Sequence, residues 1–262
     1  MLEITRYETR RRARGTLALA LLLGVFVLVI VSIYPGIAES SAEIDALIES
    51  LPESFREGFG AESYTTIEGF VSGEFYQFVL VLLLGLYATY AAAGSLAGDV
   101  DSGRLYLVLA TPVGRSQLVV EKLLALLAQM TALNLLLPLF VFGATVAIDY
   151  PLDPAYVVAV HALALPYLFV CLGVGLLLSA VVSRGDVAQR GGIALVFLLF
   201  VLDAVTVGTD FEWLGAVSPT RYYDPTEILL DETLDLGDTL LLVAAGAALV
   251  LATLALFKRR DV

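Results

Sequence analysis

The sequence has few charged residues, a single cysteine and almost no lysine. Of its 262 residues, 16% are charged and 59% are hydrophobic, and the mean hydropathy is +0.87. A soluble domain needs a more polar surface, so the composition excludes a soluble enzyme. The single cysteine, Cys171, excludes an internal disulfide framework. The net charge of -12 argues against nucleic acid as a partner, because phosphate binding needs a concentrated basic patch.

Lysine occurs only at Lys122 and Lys258, whereas aspartate and glutamate together number 27. Such an acid-rich, lysine-poor composition is typical of proteins from extreme halophiles, so we expect a saline habitat for the host. Habitat carries no information about the chemistry of the protein.

Six apolar stretches occupy most of the chain, and each is bounded by charged or turn-forming residues. A helix that crosses a bilayer needs about 20 predominantly apolar residues. The sequence therefore predicts an all-α, polytopic membrane protein in which residues 1–262 form a single transmembrane domain. The six predicted spans are 16–35, 75–97, 123–148, 155–182, 191–208 and 238–257.

The positive charges alternate from one connection to the next. Thirteen of the 15 lysines and arginines precede the first span, follow the sixth, or lie between spans two and three or four and five. The other connections hold only Arg56 and Arg221, with 18 acidic residues. The positive-inside rule predicts cytoplasmic termini in a multi-pass protein of the cell membrane. The arginine-rich residues 1–15 predict a short interfacial helix, bound partly by anionic lipid headgroups.

Two longer connections are predicted to lie outside the cell. Apolar residues at helical spacing in the 36–74 loop predict a surface amphipathic helix; they are Ile44, Leu47, Ile48 and Leu51. In the 209–237 loop, Pro219 and Pro225 predict a break into short pieces. The aromatic residues predicted to anchor this second loop at the membrane interface are Trp213, Tyr222 and Tyr223.

The predicted cytoplasmic connection 98–122 reads GDVDSGRLYLVLATPVGRSQLVVEK. A polar connector would not need the apolar run 105–110 in its middle. The pattern predicts two short helices around a proline turn at Pro112, with one apolar face that packs either on the bundle or on another protein. The residues alone leave both alternatives open.

This order of acidic residues, glycine, apolar run, Thr-Pro, arginine and lysine resembles the cytoplasmic coupling region of ABC transporter permeases of the ABC-2 type. The arginine-rich beginning, the six spans and the basic end resemble that family as well, although many members have Glu where this chain has Asp99 and Asp101. The resemblance implies that seven residues have a coupling role. The simpler alternative is that they cap the loop, form turns or set the membrane topology. They are Asp99, Asp101, Gly103, Arg104, Thr111, Pro112 and Arg115.

The resemblance implies a permease subunit of an ATP-driven exporter. ATP and Mg²⁺ would then bind a separate ATP-binding subunit, and the chain would pair with a second copy or a related permease. The sequence agrees, because neither lysine lies in a GxxxxGK[ST] phosphate loop. We therefore expect no enzymatic activity and no directly bound cofactor or metal in this chain. ATP-driven closure of the partner is expected to push the 98–122 segment.

Three polar residues within the predicted spans are candidates for a transport path. Asp203 would support the alternative function, a stand-alone secondary transporter or channel, but it is also close enough to an interface to snorkel. His161 and Asn134 have a simpler explanation as hydrogen-bonded residues inside and between helices. The sequence contains no HExxH or GxSxG motif, which argues against a membrane-embedded enzyme.

Overall fold

The computed structural model describes residues 2–40, 65–110 and 113–259, without the side chains of Val108 and Leu109. The predicted amphipathic helix at 44–51 and the proline turn at 111–112 lie outside these ranges. No strand occurs in the described ranges. The eight α-helices there are α1 (Glu3–Glu39), α2 (Ile67–Asp101), α3 (Arg104–Leu109), α4 (Arg115–Ala147), α5 (Pro154–Val181), α6 (Gly185–Thr206), α7 (Pro225–Leu230) and α8 (Leu236–Arg259).

Six of these helices are long and apolar enough to cross a membrane, which confirms the predicted all-α, six-span architecture. They are α1, α2, α4, α5, α6 and α8. Helix α5 coincides with its predicted stretch to within one residue, and each of the other five extends beyond its stretch at one or both ends, because polar residues there also take helical conformation. The additional turns bring charged side chains of different helices into contact at the ends of the bundle.

The N-terminal segment differs from the prediction. Residues 1–15 were expected to form a short helix separate from the first span, but α1 runs without interruption from Glu3 to Glu39. The only proline inside it is Pro35, close to its end, so no residue near Gly15 stops the backbone hydrogen bonding. The arginine-rich segment is consequently the first part of a continuous helix.

Helix α2 changes its winding along its length. It begins as an α-helix over Ile67–Val71, continues as a π-helix over Ser72–Leu83, and returns to α-helix over Leu84–Asp101. A π-helix this long is rare. The Tyr167 hydroxyl of α5 donates to the carbonyl of Val81 at 2.9 Å, so a neighbouring helix supports the π-helical segment.

Helix α5 is the centre of the bundle and packs against α2, α4, α6 and α8, while α1 lies along α4. Small side chains allow α2 and α5 to approach closely: a Cβ added at Gly175 would lie 2.4 Å from the Thr89 carbonyl oxygen. Hydroxyl groups join the same two helices. Thr89 donates to the Cys171 carbonyl at 3.1 Å, and the Ser179 oxygen accepts from the Leu96 amide at 2.9 Å.

The bundle has two distinct ends. We name the end where α1, α4 and α6 begin and α2, α5 and α8 end the terminal face, and the opposite end the far face. At the far face, the Tyr34 hydroxyl donates to the Thr65 carbonyl at 2.7 Å, and Ser72 and Thr226 share a hydrogen bond of 2.8 Å. These contacts join α1 and α7 to the beginning of α2.

The connection between α6 and α8 covers part of the far face. As predicted, prolines divide it into short pieces: 3-10 helices at Glu212–Val217 and Pro219–Tyr222, followed by α7. The prediction of Tyr223 as an interfacial anchor is wrong, since this side chain is only 4% exposed. Its hydroxyl donates to the Val160 carbonyl at 2.9 Å and its ring stacks on Tyr167, so packing determines its position.

Replacement of Gly175 by alanine tests the close approach of α2 and α5. The new methyl group would meet backbone atoms of α2, and we expect the free energy of unfolding to fall by about 1–3 kcal/mol. Gly143→Ala on α4 is the matched control, because no atom lies within 4 Å of its added Cβ and alanine favours helix. The free energy of unfolding of both variants is measured in detergent micelles by titration with a denaturing detergent. Equal stability of the two variants would contradict the packing described here.

Candidate functional site

A buried ion pair joins three helices at the terminal face. The Lys122 Nζ atom of α4 lies 2.6 Å from Oδ2 of Asp99, near the end of α2, and the other carboxylate oxygen lies 3.1 Å from Nη2 of Arg104 in α3. The Lys122 and Asp99 side chains are 5% and 14% exposed. A buried charge without its partner costs much free energy, so Lys122 and Asp99 strongly constrain each other's positions.

The first turns of α1 belong to the same cluster of charges. Oε1 of Glu8 lies 3.6 Å from Lys122 Nζ, and its other carboxylate oxygen lies 3.4 Å from Nε of Arg12. We name Glu8, Arg12, Asp99, Arg104 and Lys122 the ion-pair cluster. It connects α1, α2, α3 and α4 through side chains alone.

Glu121, next to Lys122 and 3% exposed, fixes the beginning of α1 to α4. Its carboxylate accepts hydrogen bonds from the backbone amides of Ile4 at 2.9 Å and Thr5 at 3.2 Å. The Thr5 hydroxyl donates to the Glu121 carbonyl at 3.0 Å. The first amides of a helix lack partners within the helix, and a carboxylate there also interacts favourably with the helix dipole. A residue of α4 thus caps α1.

The short helix α3 packs on the bundle with one side and is exposed on the other. Gly103 precedes it with a φ of +72°, a left-handed conformation that favours glycine. Leu105 is fully buried and Arg104 binds Asp99, while Tyr106 and Leu107 are 58% and 74% exposed. The helix therefore presents large apolar side chains away from the bundle.

Two further predicted coupling residues make contacts elsewhere on the terminal face. Oδ2 of Asp101 accepts from the Gly185 amide at the start of α6, at 3.4 Å. The Arg115 guanidinium donates to the Lys258 carbonyl near the end of α8, at 3.3 Å. Both contacts fit the alternative of capping helix ends. Thr111 and Pro112 lie outside the described residues, and the coupling role of all seven stays a prediction.

Sequence reasoning missed Glu8 and Glu121, and it used Lys122 for topology and for the family resemblance but not as a site residue. A signal was present, because Glu121-Lys122 places two charges directly before an apolar span. Glu8 and Arg12 are also four residues apart, a spacing that favours an ion pair on a helix. The contacts of Glu8 with Lys122 and of Glu121 with Ile4 and Thr5 each span more than 110 residues, so the spacing could not reveal them.

Asp203 lies at the far face, beside a cavity of about 280 Å³. Its Oδ2 atom accepts from the Thr220 hydroxyl at 2.6 Å, and its Oδ1 atom lies 3.9 Å from Nη1 of Arg221. Arg221 also binds Glu212. Among the described residues, no group of acidic, histidine and cysteine side chains is arranged to hold a metal ion. The carboxylates that line the cavity are Asp203, Glu212, Asp224, Glu227, Asp235 and Asp238.

Asp224 and Glu227 are two of the cavity carboxylates that lie outside the membrane-spanning helices. Burial raises the pKa of Asp224 above its ordinary value, against the opposing effect of the Thr226 amide that it caps at 2.7 Å. Burial also raises the pKa of Glu227, and the neighbouring Asp224 carboxylate adds to this effect. Both groups therefore retain protons to higher pH than a solvated carboxylate.

His161 and Asn134, predicted separately, contact each other within the bundle. His161 Nδ1 lies 3.2 Å from Asn134 Oδ1, and His161 Nε2 lies 3.3 Å from the Tyr76 hydroxyl. The Asn134 amide donates to the Met130 carbonyl at 3.0 Å. These contacts join α2, α4 and α5 and fit the structural alternative. Neither residue lines the cavity beside Asp203, so the three candidates do not form one site.

The six spans, with buried ion pairs at one end, define a multi-pass integral membrane protein. Residues 2–262 match the family model described as ABC-2 family transporter protein, so the chain belongs to that family. It is therefore a membrane permease of an ABC transporter. Permeases of this family are generally the non-enzymatic membrane component and associate with an ABC ATP-binding subunit. Comparison with curated proteins finds no match.

Removal of one partner tests the buried pair of Lys122 and Asp99. Lys122→Met leaves Asp99 and Glu8 with fewer opposite charges, and we expect the free energy of unfolding to fall by about 3 kcal/mol. Asp99→Asn in the same chain should recover at least half of this loss. The control is Arg190→Met, which breaks an exposed pair with Asp186 and should cost less than about 1 kcal/mol. Equal losses from Lys122→Met and Arg190→Met would contradict a strongly constrained cluster.

Proposed function

We propose that the chain is the membrane-spanning subunit of an ATP-driven exporter and couples to a separate ATP-binding subunit through residues 98–122. The ion-pair cluster is the observation that carries this proposal. It connects α3, the one short helix of this segment within the described residues, to three spans at once. A force applied to α3 would therefore reach α1, α2 and α4 together.

The surface of α3 supports a docking role. Tyr106 and Leu107 are highly exposed at an end of the bundle where charged residues are concentrated. An apolar side chain in such a position favours a protein partner, because contact with that partner removes it from water. The apolar run then makes both of the contacts that the sequence left open. Leu105 packs on the bundle, and Tyr106 and Leu107 remain available to the partner.

The charge distribution supports a cytoplasmic terminal face. Thirteen of the 15 lysines and arginines belong to segments that begin or end at this face, which is the pattern of the positive-inside rule. Both termini and α3 would then lie on the side where ATP is available. ATP and Mg²⁺ would bind the partner subunit.

The proposed export cycle has three steps. Two ATP-binding subunits close around ATP and push α3 of each of two paired permease chains. The ion-pair cluster and the cap of α1 by Glu121 transmit the push to α1, α2 and α4. The two bundles then exchange inward-open and outward-open states, which is alternating access by rigid-body motion.

Co-purification from native membranes tests the partner. We expect a tagged chain to retain a P-loop ATPase in near-stoichiometric amount, and Leu107→Ser to reduce its recovery at least about ten-fold, since a central apolar contact contributes about 1.4 kcal/mol or more. Val187→Ser is the matched control. Val187 is an apolar residue near the beginning of α6 and is 45% exposed, but it lies outside α3.

Mass spectrometry of the purified material measures the recovery, and thermal unfolding of each variant confirms that the permease remains folded. Full recovery of the ATPase with Leu107→Ser would refute docking through α3. A folded permease that never retains an ATPase would favour the stand-alone transporter. Asp203 would then be the first residue to replace, although its bonds to Thr220 and Arg221 already explain its position.

A further inference from the structure

A cavity of about 320 Å³ opens beside the ion-pair cluster, between the first turns of α1, the last turns of α2 and the beginning of α6. This volume lies within the usual range for sites that hold small ligands. The cavity does not depend on α3 reaching a partner, because its wall consists mainly of spans. Gly94 of α2 leaves room there for the Gln189 amide of α6, since an added Cβ would lie 2.4 Å from that amide nitrogen.

Positive charge exceeds negative charge in the wall of this cavity. Four cations and two carboxylates line it, and the structure pairs both carboxylates with cations of the ion-pair cluster. Arg11 is the remaining cation. It is exposed and forms no ion pair with any residue of the described ranges. Its guanidinium therefore retains the donors that a phosphate oxygen accepts, in the fork geometry that suits phosphate.

The polarity of the cavity changes along α2. Charged side chains surround the end near Asp99, whereas Tyr87, Tyr90 and Ala91 form the other end, about 12–18 Å away at the ordinary helical rise. Tyr90 is 43% exposed. Leu83, one helical turn before Tyr87, is also 43% exposed, so an apolar stripe continues from the cavity toward the middle of the bilayer.

We propose that this cavity binds the phosphate group of an anionic phospholipid, with Arg11 as the principal contact and the acyl chains along the Leu83 side of α2. A charged end beside an apolar stripe matches an amphiphile. A soluble phosphate ion shares the charge chemistry but would leave the tyrosines and the apolar stripe unused. The proposal goes beyond the proposed function, because lipid binding requires no ATP-binding subunit.

Native mass spectrometry of the purified full-length protein in detergent tests the proposal. After delipidation, phosphatidylglycerol and phosphatidylcholine are titrated separately, and inorganic phosphate is added to a third sample that already holds phosphatidylglycerol. We expect one phosphatidylglycerol to bind per chain in preference to phosphatidylcholine. Arg11→Gln should weaken that binding about ten-fold, the usual effect of losing a charge-assisted hydrogen bond.

Arg10→Gln is the matched control, because Arg10 is an exposed neighbour that carries the same charge and does not line the cavity. It should leave the affinity within about two-fold of the original protein. Equal weakening by the two variants would overturn the proposal in favour of diffuse surface attraction, and so would equal binding of the two lipids. Displacement of the lipid by millimolar inorganic phosphate would support a phosphate site but assign it to a soluble ligand.

Arg11→Gln breaks no ion pair, so we expect unchanged thermal stability in lipid-free detergent and unchanged ATPase recovery. This distinguishes the two proposals. A failure of lipid binding leaves the permease function standing, and a failure of ATPase recovery leaves the lipid site standing. Loss of ATPase recovery together with lipid binding in Arg11→Gln would contradict the independence claimed here.

Discussion

The buried pair of Lys122 and Asp99 is the interaction on which the arrangement of the terminal face depends. An ammonium group that is 5% exposed is tolerated only with opposite charges at close range, and these come from α1 and α2. The same carboxylate holds α3 through Arg104. Because one lysine must be satisfied, the first turns of α1 converge with α2, α3 and α4 at one end of the bundle.

Elsewhere in the bundle, close packing and backbone hydrogen bonds replace charge. Gly175 lets α2 and α5 approach until side-chain hydroxyls reach backbone groups of the opposite helix, as Ser179 and Thr89 do. Tyr167 supports the π-helical segment of α2 in the same way. Satisfied polar groups of this kind are expected within a membrane, where water cannot supply the missing partner. Charged contacts therefore stabilise the ends of the bundle, whereas close packing and hydrogen bonds stabilise its interior.

The sequence predicts the parts of this structure that depend on local composition. The six spans follow from apolar length, and the short pieces of the far-face connection follow from Pro219 and Pro225. The family resemblance also came from local order in the 98–122 segment. Long-range contacts were not predictable. The cap of α1 by Glu121 joins residues more than 110 positions apart, and no local pattern reveals it.

Two errors have the same physical cause. Tyr223 looks like an interfacial aromatic in sequence, but a backbone acceptor on α5 and a ring on the same helix bury it. The arginine-rich beginning looks like a separate surface helix, but packing of α1 on α4 and the Glu121 cap favour one continuous helix. In both cases, contacts with another helix override the conformation that the local composition favours.

Photo-crosslinking in native membranes tests the central claim, that α3 contacts an ATP-binding subunit, most directly. A photoreactive amino acid at Leu107 should give one crosslinked product that contains a P-loop ATPase, because this side chain is 74% exposed beside the ion-pair cluster. The same group at Trp213, exposed at the far face, should give no such product. Crosslinking to the ATPase from position 213 but not from position 107 would contradict the account.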